Sequence, residues 1–553
     1  MISMDPFAFT PEARRTFAAA VPMGFTRGVR RFLLLLFVAL GAAGALVLSC
    51  AVSSWWWIAA GLLLPLTALG VWDLVQTRHS LLRNYPLLGH LRFLTEPPRP
   101  EPRRYFAEGH HEGRPYGRAV RSIVHERAEG VATEEPFGTE RDVYAAGYEF
   151  LMPSLRPVEP PEDPPVVRVG GPDCTQPYDM ALLNVSAMSF GSLSANAILA
   201  LNKGAALGGF ATDTGEGGLS EYHLRGGGDL IWEIGTGYFG CRTSDGGFDE
   251  REFADKVALP EVKCVSLKLS QGAKPGTGAV LPGVKVSAEI ARARAVPVGE
   301  TVVSPPCHRM FSTPRELVLF LARIRELAHG KPTGVKLCVG SRRQFLAVCK
   351  AMLAEGITPD FVVVDGAEGG TGAAPPEFAG RLGTPLTEGL VTVHNALAGT
   401  GLRDRVRIGA SGKVATGADI VKRLLQGADY TNAARAMMFA VGCVQARRCH
   451  TNTCPVGVTT QDPRRVRALD VADKSERVHR FQRATVRSAA RIMAAMGVRD
   501  PAGLAPGMLL RRTDSTTVLS YAELYEWLPP GVLLAQPPPS WEADWTAADP
   551  DSF

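Results

Sequence analysis

From Phe32 to Trp72 the chain carries no charged residue: FLLLLFVALGAAGALVLSCAVSSWWWIAAGLLLPLTALGVW. That run is about twice the roughly 20 residues one membrane helix needs. Its middle, CAVSSWWW, combines weak turn formers with aromatics of the kind that sit at a bilayer interface. The pattern predicts two helices, 32–50 and 55–73, joined by a tight turn. A cleaved signal peptide has a shorter apolar core that starts nearer the terminus. Arg27, Arg30 and Arg31 precede the run, and Arg78, Arg83 and Arg92 follow it. With both flanks basic, the positive-inside rule puts both ends in the cytoplasm. The expectation is a transmembrane hairpin over 31–75 in the inner membrane. Residues 1–30 and everything after the hairpin would lie on the cytoplasmic side. The alternative is a buried helical hairpin of a soluble domain.

The remainder of the 553 residues is long enough for a large core. Apolar content of 46% and charged content of 21% describe a globular chain rather than a disordered one. The 60 basic against 55 acidic residues leave +5, too small an excess to imply a nucleic-acid partner. Of the 10 cysteines, Cys50, Cys174, Cys241, Cys264, Cys307, Cys338 and Cys349 are scattered, which predicts a reducing compartment. Cys443, Cys449 and Cys454 are clustered as C-x5-C-x4-C.

Residues 76–165 are rich in Pro, Arg, Glu and His. TEPPRPEPRRYF and RPVEPPEDPP exclude helix interiors. This stretch reads as an irregular cap with short strands or helices, ending in a linker near 157–165. Over 166–465 short β-rich runs alternate with helical stretches. Candidate strands are 182–187, 209–212, 230–234, 264–269, 334–338, 361–364, 406–408 and 428–431. Helices are expected at 314–328, 342–354, 386–398 and 418–425. Eight such steps predict an α/β fold, a (β/α)8 TIM barrel. A doubly wound open sheet fits less well, because no G-x-G-x-x-G follows a first strand. Residues 466–553 read as one helix, 466–496, and a Pro-rich acidic tail.

In a barrel the chemistry sits at the C-terminal strand ends. Here those ends carry SAMSFGSLS (186–194), TDTGEGG (212–218), LKLSQGAKPGTG (267–278), DGAEGGTGAAP (365–375), GASGK (409–413) and NAARA (432–436). Glycine-rich turns after strands seven and eight suit a phosphate, held by backbone N–H groups. Lys268, Lys274 and Lys336 at strand ends suit an electron-rich flavin edge or a substrate carboxylate. The cysteine cluster alone is compatible with an iron–sulfur cluster, with zinc completed by His450, or with structural thiols.

SAMSFGSLS, TGEGG, QGAKPGTG, LPGVKVS, SPPCH, GGTGAAP, GLRDRVRI and CHTNTCPVGV run in the order found in the flavin-binding synthase domain of glutamate synthase. The resemblance covers about residues 165–465. YPLLGHLRF (85–93) is similar to the short, membrane-anchored single-domain branch of that family. The resemblance implies a barrel binding FMN, and a three-iron, four-sulfide cluster ligated by Cys443, Cys449 and Cys454. It places Glu216 in a loop near flavin and substrate, and Lys274 and Arg294 around a 2-oxo acid. It places Lys336 near the flavin ring and Met188 and Ser189 near its face. Lys268, Gln271 and Gly370 join the cofactor set, with Ser411, Gly412, Ala434 and Arg435 on the phosphate side.

Two departures bear on the substrate. The family's GGQLPG is GAVLPG here, so Ala279 and Val280 replace a glycine and a glutamine, and Val284 occupies a position that can be serine. The amidotransferase domain of the family's large enzymes carries a nucleophilic N-terminal cysteine. This sequence starts MISMDPF, so release of ammonia from glutamine by that route is not expected. No nicotinamide fingerprint is visible either. Electrons are expected from a separate donor, such as ferredoxin or a reductase subunit. The implied reaction is reductive amination of a 2-oxo acid, 2-oxoglutarate with ammonia. Alternatives are the same cofactors acting on another amine or N-substituted amino acid, or an electron-transfer subunit of a membrane complex.

Overall fold

The computed structural model describes residues 31–95, 113–131, 134 and 138–553. The segment 1–30 with Arg27 and Arg30, the side chain of Arg92, and nearly all of TEPPRPEPRRYF lie outside the described residues.

Eight short runs pair in parallel and close on themselves. They are β1 (Leu183–Val185), β2 (Thr212–Asp213), β3 (Leu230–Ile234), β4 (Val262–Lys268), β5 (Thr333–Leu337), β6 (Phe361–Asp365), β7 (Arg407–Ser411) and β8 (Tyr430–Ala433). Each pairs with the next, and β8 returns to β1 through Thr431 opposite Leu183. The interior fills with bulky side chains only where a neighbouring strand makes room. Gly409 stands beside Tyr430, and a Cβ there would lie 2.6 Å from the tyrosine ring. Beneath the barrel the antiparallel hairpin Val166–Val169/Tyr178–Ala181 forms a plug. Its Val169 and Met180 pack against Ile231, Cys264, Phe361 and Tyr430 near the strand starts. The plug is tied there by buried Asp360, which accepts from Gly171 N (2.6 Å) and Thr333 N (2.7 Å) and pairs with Arg325 (3.1 Å).

The outer helices begin where the sequence supplies caps. Thr313 and Glu316 form a capping box for Pro314–Leu327, and Thr416 and Asp419 do the same for Gly417–Leu425. The other expected helices appear as Arg342–Glu355 and Leu386–Gly399, and the long C-terminal one as Val471–Ala495.

The cap, expected to hold short strands or helices, contains a regular helix, Arg118–Glu129, held to Val471–Ala495 by Arg127 on Thr485 (3.1 Å) and Arg477 on Glu129 (3.0 Å). The acidic tail is not a loose extension: its prolines punctuate short elements that dock on the barrel's flank. Leu509–Arg512 pairs with Glu149–Leu151 and Val518–Ser520. Asn395 takes both Glu526 O (2.6 Å) and Leu528 N (2.9 Å), while Lys350 reaches Ala548 O (2.8 Å). Leu533 is buried against Gly399.

The uncharged run forms α1 (Leu33–Ala51) and α2 (Trp56–Val75), both long and apolar enough to cross a membrane. They face each other through small residues, with Ala42, Ala45 and Ala60 buried. Their outer faces stay open, with Phe37 65% and Leu62 65% exposed. The hairpin is therefore not buried by the rest of the described chain, and its bare apolar surface marks an interaction face. Asp73, near the end of α2, is fully buried. Its carboxylate accepts from Leu87 N (3.0 Å) and meets His90 Nε2 (2.9 Å), fixing the YPLLGHLRF segment to the hairpin.

If the tail is part of the folded unit, Leu533→Ala should lower stability by about 2–5 kcal/mol, the range for buried leucine truncations. Urea unfolding followed by tryptophan fluorescence checks this; an unchanged midpoint would show the tail to be dispensable.

Candidate active site

A cavity of about 400 Å³ opens at the C-terminal strand ends. It is walled by Lys268 from β4, Lys336 from β5, Asp365 from β6, Ser411 from β7 and Asn432 from β8. Met188, Ser189, Gln271, Gly370, Gly412, Ala434 and Arg435 also line it, as do Glu216, Cys443, Cys449 and Cys454. One space therefore joins the expected cofactor residues to all three clustered thiols. Lys274 and Arg294 are not in its wall; they stand behind Glu216, buried. Val280 lines the cavity, whereas Val284 is 71% exposed and points away from it.

The TGEGG loop is shaped by steric need. A Cβ on Gly217 would lie 2.6 Å from Ser189 Cβ and 2.7 Å from Arg294 Nη2. Glu216 Oε1 meets Lys268 Nζ at 2.5 Å, and the same ammonium donates to Gln271 Oε1 at 2.9 Å. Burial alone would raise the Glu216 pKa, but Lys268, with Lys274 and Arg294 behind, holds the carboxyl below its usual range. Burial lowers Lys274, which donates to Gly278 O (2.7 Å). Arg294 is pulled by burial to about 10, so it stays charged at neutral pH. It donates to Phe190 O (3.1 Å) and lies over the Phe239 ring (5.2 Å).

The SPPCH motif sets Lys268 from behind. His308 Nε2 lies 2.9 Å from Lys268 O, and Nδ1 lies 3.1 Å from Tyr238 Oη. Burial pushes this imidazole down to about 4, so it is neutral. Nε2 must carry the hydrogen that the carbonyl accepts, and Nδ1 accepts from the tyrosine.

Deeper, Lys336 Nζ donates to Glu233 Oε2 (2.9 Å), both fully enclosed. Burial disfavours the Lys336 charge, but Glu233 and Asp213 outweigh it and keep it cationic. Asp213, beside them, is raised to about 8, by burial first and then by Glu233. Its Oδ1 accepts from Gly215 N (2.9 Å), joining this cluster to the Glu216 loop.

At the opposite end Arg435 donates to Glu368 O (2.9 Å) and stands over the Tyr116 ring (5.1 Å). A Cβ on Gly370 would lie 3.0 Å from its guanidinium. Lys413 lies in the same wall, its charge disfavoured by burial and by neighbouring Arg435. Sequence reasoning quoted GASGK but passed over Lys413, although its backbone at φ 52° marks the turn. Tyr116 comes from the cap and carried no local signal. Lys285 sat unnoticed in LPGVKVS. It donates to Ser192 O (2.9 Å) and Cys449 O (3.1 Å), and its pKa falls to about 8 through burial.

The cysteine loop winds tightly, with Gln445, Arg447 and Asn452 in the left-handed region. Cys454 is buried; Cys443 and Cys449 are half-buried. Burial raises the Cys449 thiol, with Thr459 and Lys285 opposing and Cys454 adding. Among the described residues no three His, Cys, Asp or Glu side chains converge on a single-ion site.

Asp213 gives a pH expectation. Its folded pKa, about 8, lies above the roughly 3.9 of an unfolded aspartate, so the folded state holds the proton more tightly. The associated stability is complete below about pH 4 and is lost as pH rises toward 8. Asp213→Asn keeps an acceptor for Gly215 and cannot ionise. Urea midpoints at pH 6 and pH 8.5 should therefore converge in this variant relative to the unsubstituted chain.

The conserved region of glutamate synthase matches residues 175–499. The glutamate synthase large subunit-like protein YerD of Bacillus subtilis is 36% identical over 493 residues, covering 82% of this chain and 93% of that protein. The archaeal glutamate synthase [NADPH] of Methanocaldococcus jannaschii is 33% identical over 57% of this chain and 58% of its own length. The glutamate synthase [NADPH] large chain of B. subtilis is 35% identical over 50% of this chain, which is only 18% of that protein. Fainter likenesses join a flavocytochrome b2 mutant with pyruvate bound (14% identity, TM-score 0.40, 76% of this chain and 85% of that one) and mandelate oxidase (15%, 0.39, 69% and 96%). The chain belongs to the glutamate synthase family of oxidoreductases.

Proposed function

We propose that the chain binds FMN and a three-iron, four-sulfide cluster and carries out reductive amination of a 2-oxo acid, 2-oxoglutarate to glutamate. The observation that carries the reading is the single cavity lined by the basic strand ends at one side and by three thiols at the other. The residues fit the flavin. Asn432 Oδ1 is buried without a partner and lies in the wall, Gly370 leaves room beside Arg435, and Lys413 and Arg435 supply positive charge after β7 and β8. The thiols fit the cluster in number and chemistry, and Lys285 places a cation against its loop.

Bound FMN would supply hydride chemistry at an imine carbon, and the cluster a one-electron relay. Lys336 would hold a fixed positive charge under the flavin's electron-rich edge, kept ionised by Glu233. Lys268, fixed by His308 and Gln271, and Glu216, kept ionised, form a paired charge at the cavity wall. A substrate carboxylate entering there exchanges with Glu216 for Lys268, which orients the reacting carbon. Arg294 and Lys274 hold the Glu216 loop from behind. Electrons come from a separate donor, ferredoxin or a reductase subunit. The apolar hairpin lies in the inner membrane with the barrel on its cytoplasmic side; recovery of the full-length chain in a detergent-free soluble fraction would contradict this.

A second reading changes the substrate to an amine or N-substituted amino acid. Val280 favours it, because an apolar side chain lines the cavity where the family has glutamine.

Purified chain should show a flavin spectrum, and its absence would overturn the proposal. Anaerobic reoxidation of the reduced flavin by a panel of oxo acids, with and without ammonia, then tests the reaction. Reoxidation only by 2-oxoglutarate with ammonia supports the first reading; reoxidation only by other acceptors supports the second. In the same assay Glu216→Gln, which breaks the charge pairing with Lys268, should lower kcat/KM by ~10²-fold.

A further inference from the structure

The segment that leaves the apolar hairpin packs directly on the cysteine loop. Asn84, 1% exposed, donates through Nδ2 to Pro455 O (3.0 Å), the carbonyl next to Cys454. Arg31 donates to Asn84 Oδ1 (3.0 Å) and fixes which way the amide points. One residue on, Tyr85 Oη accepts from Arg465 Nη1 (2.9 Å). The same guanidinium nitrogen donates to Thr453 O (3.1 Å) and Cys454 O (3.3 Å), with the Tyr85 ring beneath it at 5.8 Å. The other arm of the loop is approached too. Lys474 donates to Arg78 O (2.5 Å), and its side chain lies 3.8 Å from the Cβ position of Gly442, the residue before Cys443.

We infer that Asn84 and Tyr85 are positioning residues for Cys454. On this inference, which rests on the cluster reading above, the base of the apolar hairpin is a built part of the iron–sulfur site. Neither side chain reaches a thiol. They act through the carbonyls at 453–455, which accept their hydrogen bonds directly or through Arg465. The loop carries three left-handed residues, and its own bonds centre on Asn452, whose carbonyl and Oδ1 accept from Thr460 and Gln461; the donors from Asn84 and Arg465 hold the carbonyls at 453–455, next to the Cys454 sulfur. Removing the Asn84 donor takes from the half-buried Pro455 carbonyl its hydrogen bond to the hairpin segment. Removing the Tyr85 hydroxyl frees Arg465 to leave the two carbonyls.

The test uses the full-length chain in two states, loaded and chelator-stripped. In the stripped chain, the alkylation rate at Cys454 is read by peptide mapping. Cys454 is 6% exposed, so its rate reports opening of the loop. Asn84→Asp keeps the acceptor for Arg31 and loses the donor; Tyr85→Phe keeps the ring and loses the hydroxyl. Each should alkylate about fivefold to tenfold faster at Cys454, the opening expected from one lost hydrogen bond, with a fall in urea midpoint no larger than that single bond accounts for. Loaded variants should lose iron to a chelator faster by a similar factor. Arg83→Ala, from the same segment but bonded to Ala468 O beyond the loop (3.0 Å), should behave as the parent. Parent-like Cys454 rates in Asn84→Asp and Tyr85→Phe would overturn the inference. So would equal acceleration in Arg83→Ala with a fallen urea midpoint, which would indicate general loosening. A parent chain that holds no iron would refute the cluster, and the stripped-chain rates would still decide the role of the two residues.

Discussion

The mouth of this barrel is organised by one electrostatic constraint: a charge taken out of water must find a partner. Lys268, Lys274, Lys336 and Arg294 are all buried at or behind the strand ends. An unpaired ammonium there would cost several kcal/mol. Glu216, Glu233 and Asp213 answer them, and each answer has a structural consequence. Glu233 fixes Lys336 within the barrel. Glu216 can reach Lys268 only because its loop is made of glycines. Asp213 carries a proton near neutrality because burial disfavours its charge and the neighbouring Glu233 carboxylate adds to that. The same pairs that make the fold tolerable leave the site with fixed positive charge and one exchangeable anion, which is what recognition of a carboxylate requires.

The barrel was legible because its strands are short apolar runs punctuated by glycine. The run at 230–234 was bounded correctly by glycines on either side. The second strand, expected at 209–212, forms at Thr212–Asp213, because Gly209 belongs to the end of the preceding helix, at φ 65°. The seventh, expected at 406–408, runs over Arg407–Ser411, because Gly409 reads as a break when it is the gap that Tyr430 fills. The ten cofactor candidates and three thiols, which line one cavity, could be picked out because motif order survives in the linear chain. Lys274 and Arg294 were visible by type, but their place behind Glu216 depends on packing.

What the chain's order could not disclose was contact across long separations. Tyr116 enters the cavity wall from a cap that reads as irregular. The docked C-terminal elements look like a tail, because prolines break their apolar residues into short runs and their partners lie on helices far back in the chain. Asn84 meets Pro455 across 371 positions. No periodicity encodes such pairings; they exist only once the barrel has closed and the long helix Val471–Ala495 has laid the loop against the hairpin's base.

The histidine of SPPCH is held as a neutral ring between a carbonyl and a tyrosine whose hydroxyl itself receives two backbone N–H groups, Arg309 at 3.1 Å and Met310 at 3.4 Å. Every hydrogen in that chain has one place to be. The backbone at Lys268 is thus fastened by a device that does not change protonation anywhere between mild acid and alkaline conditions. The strand end keeps its aim while the charges around it titrate, and pH sensitivity of this region has to originate in groups such as Asp213 rather than in the histidine clamp.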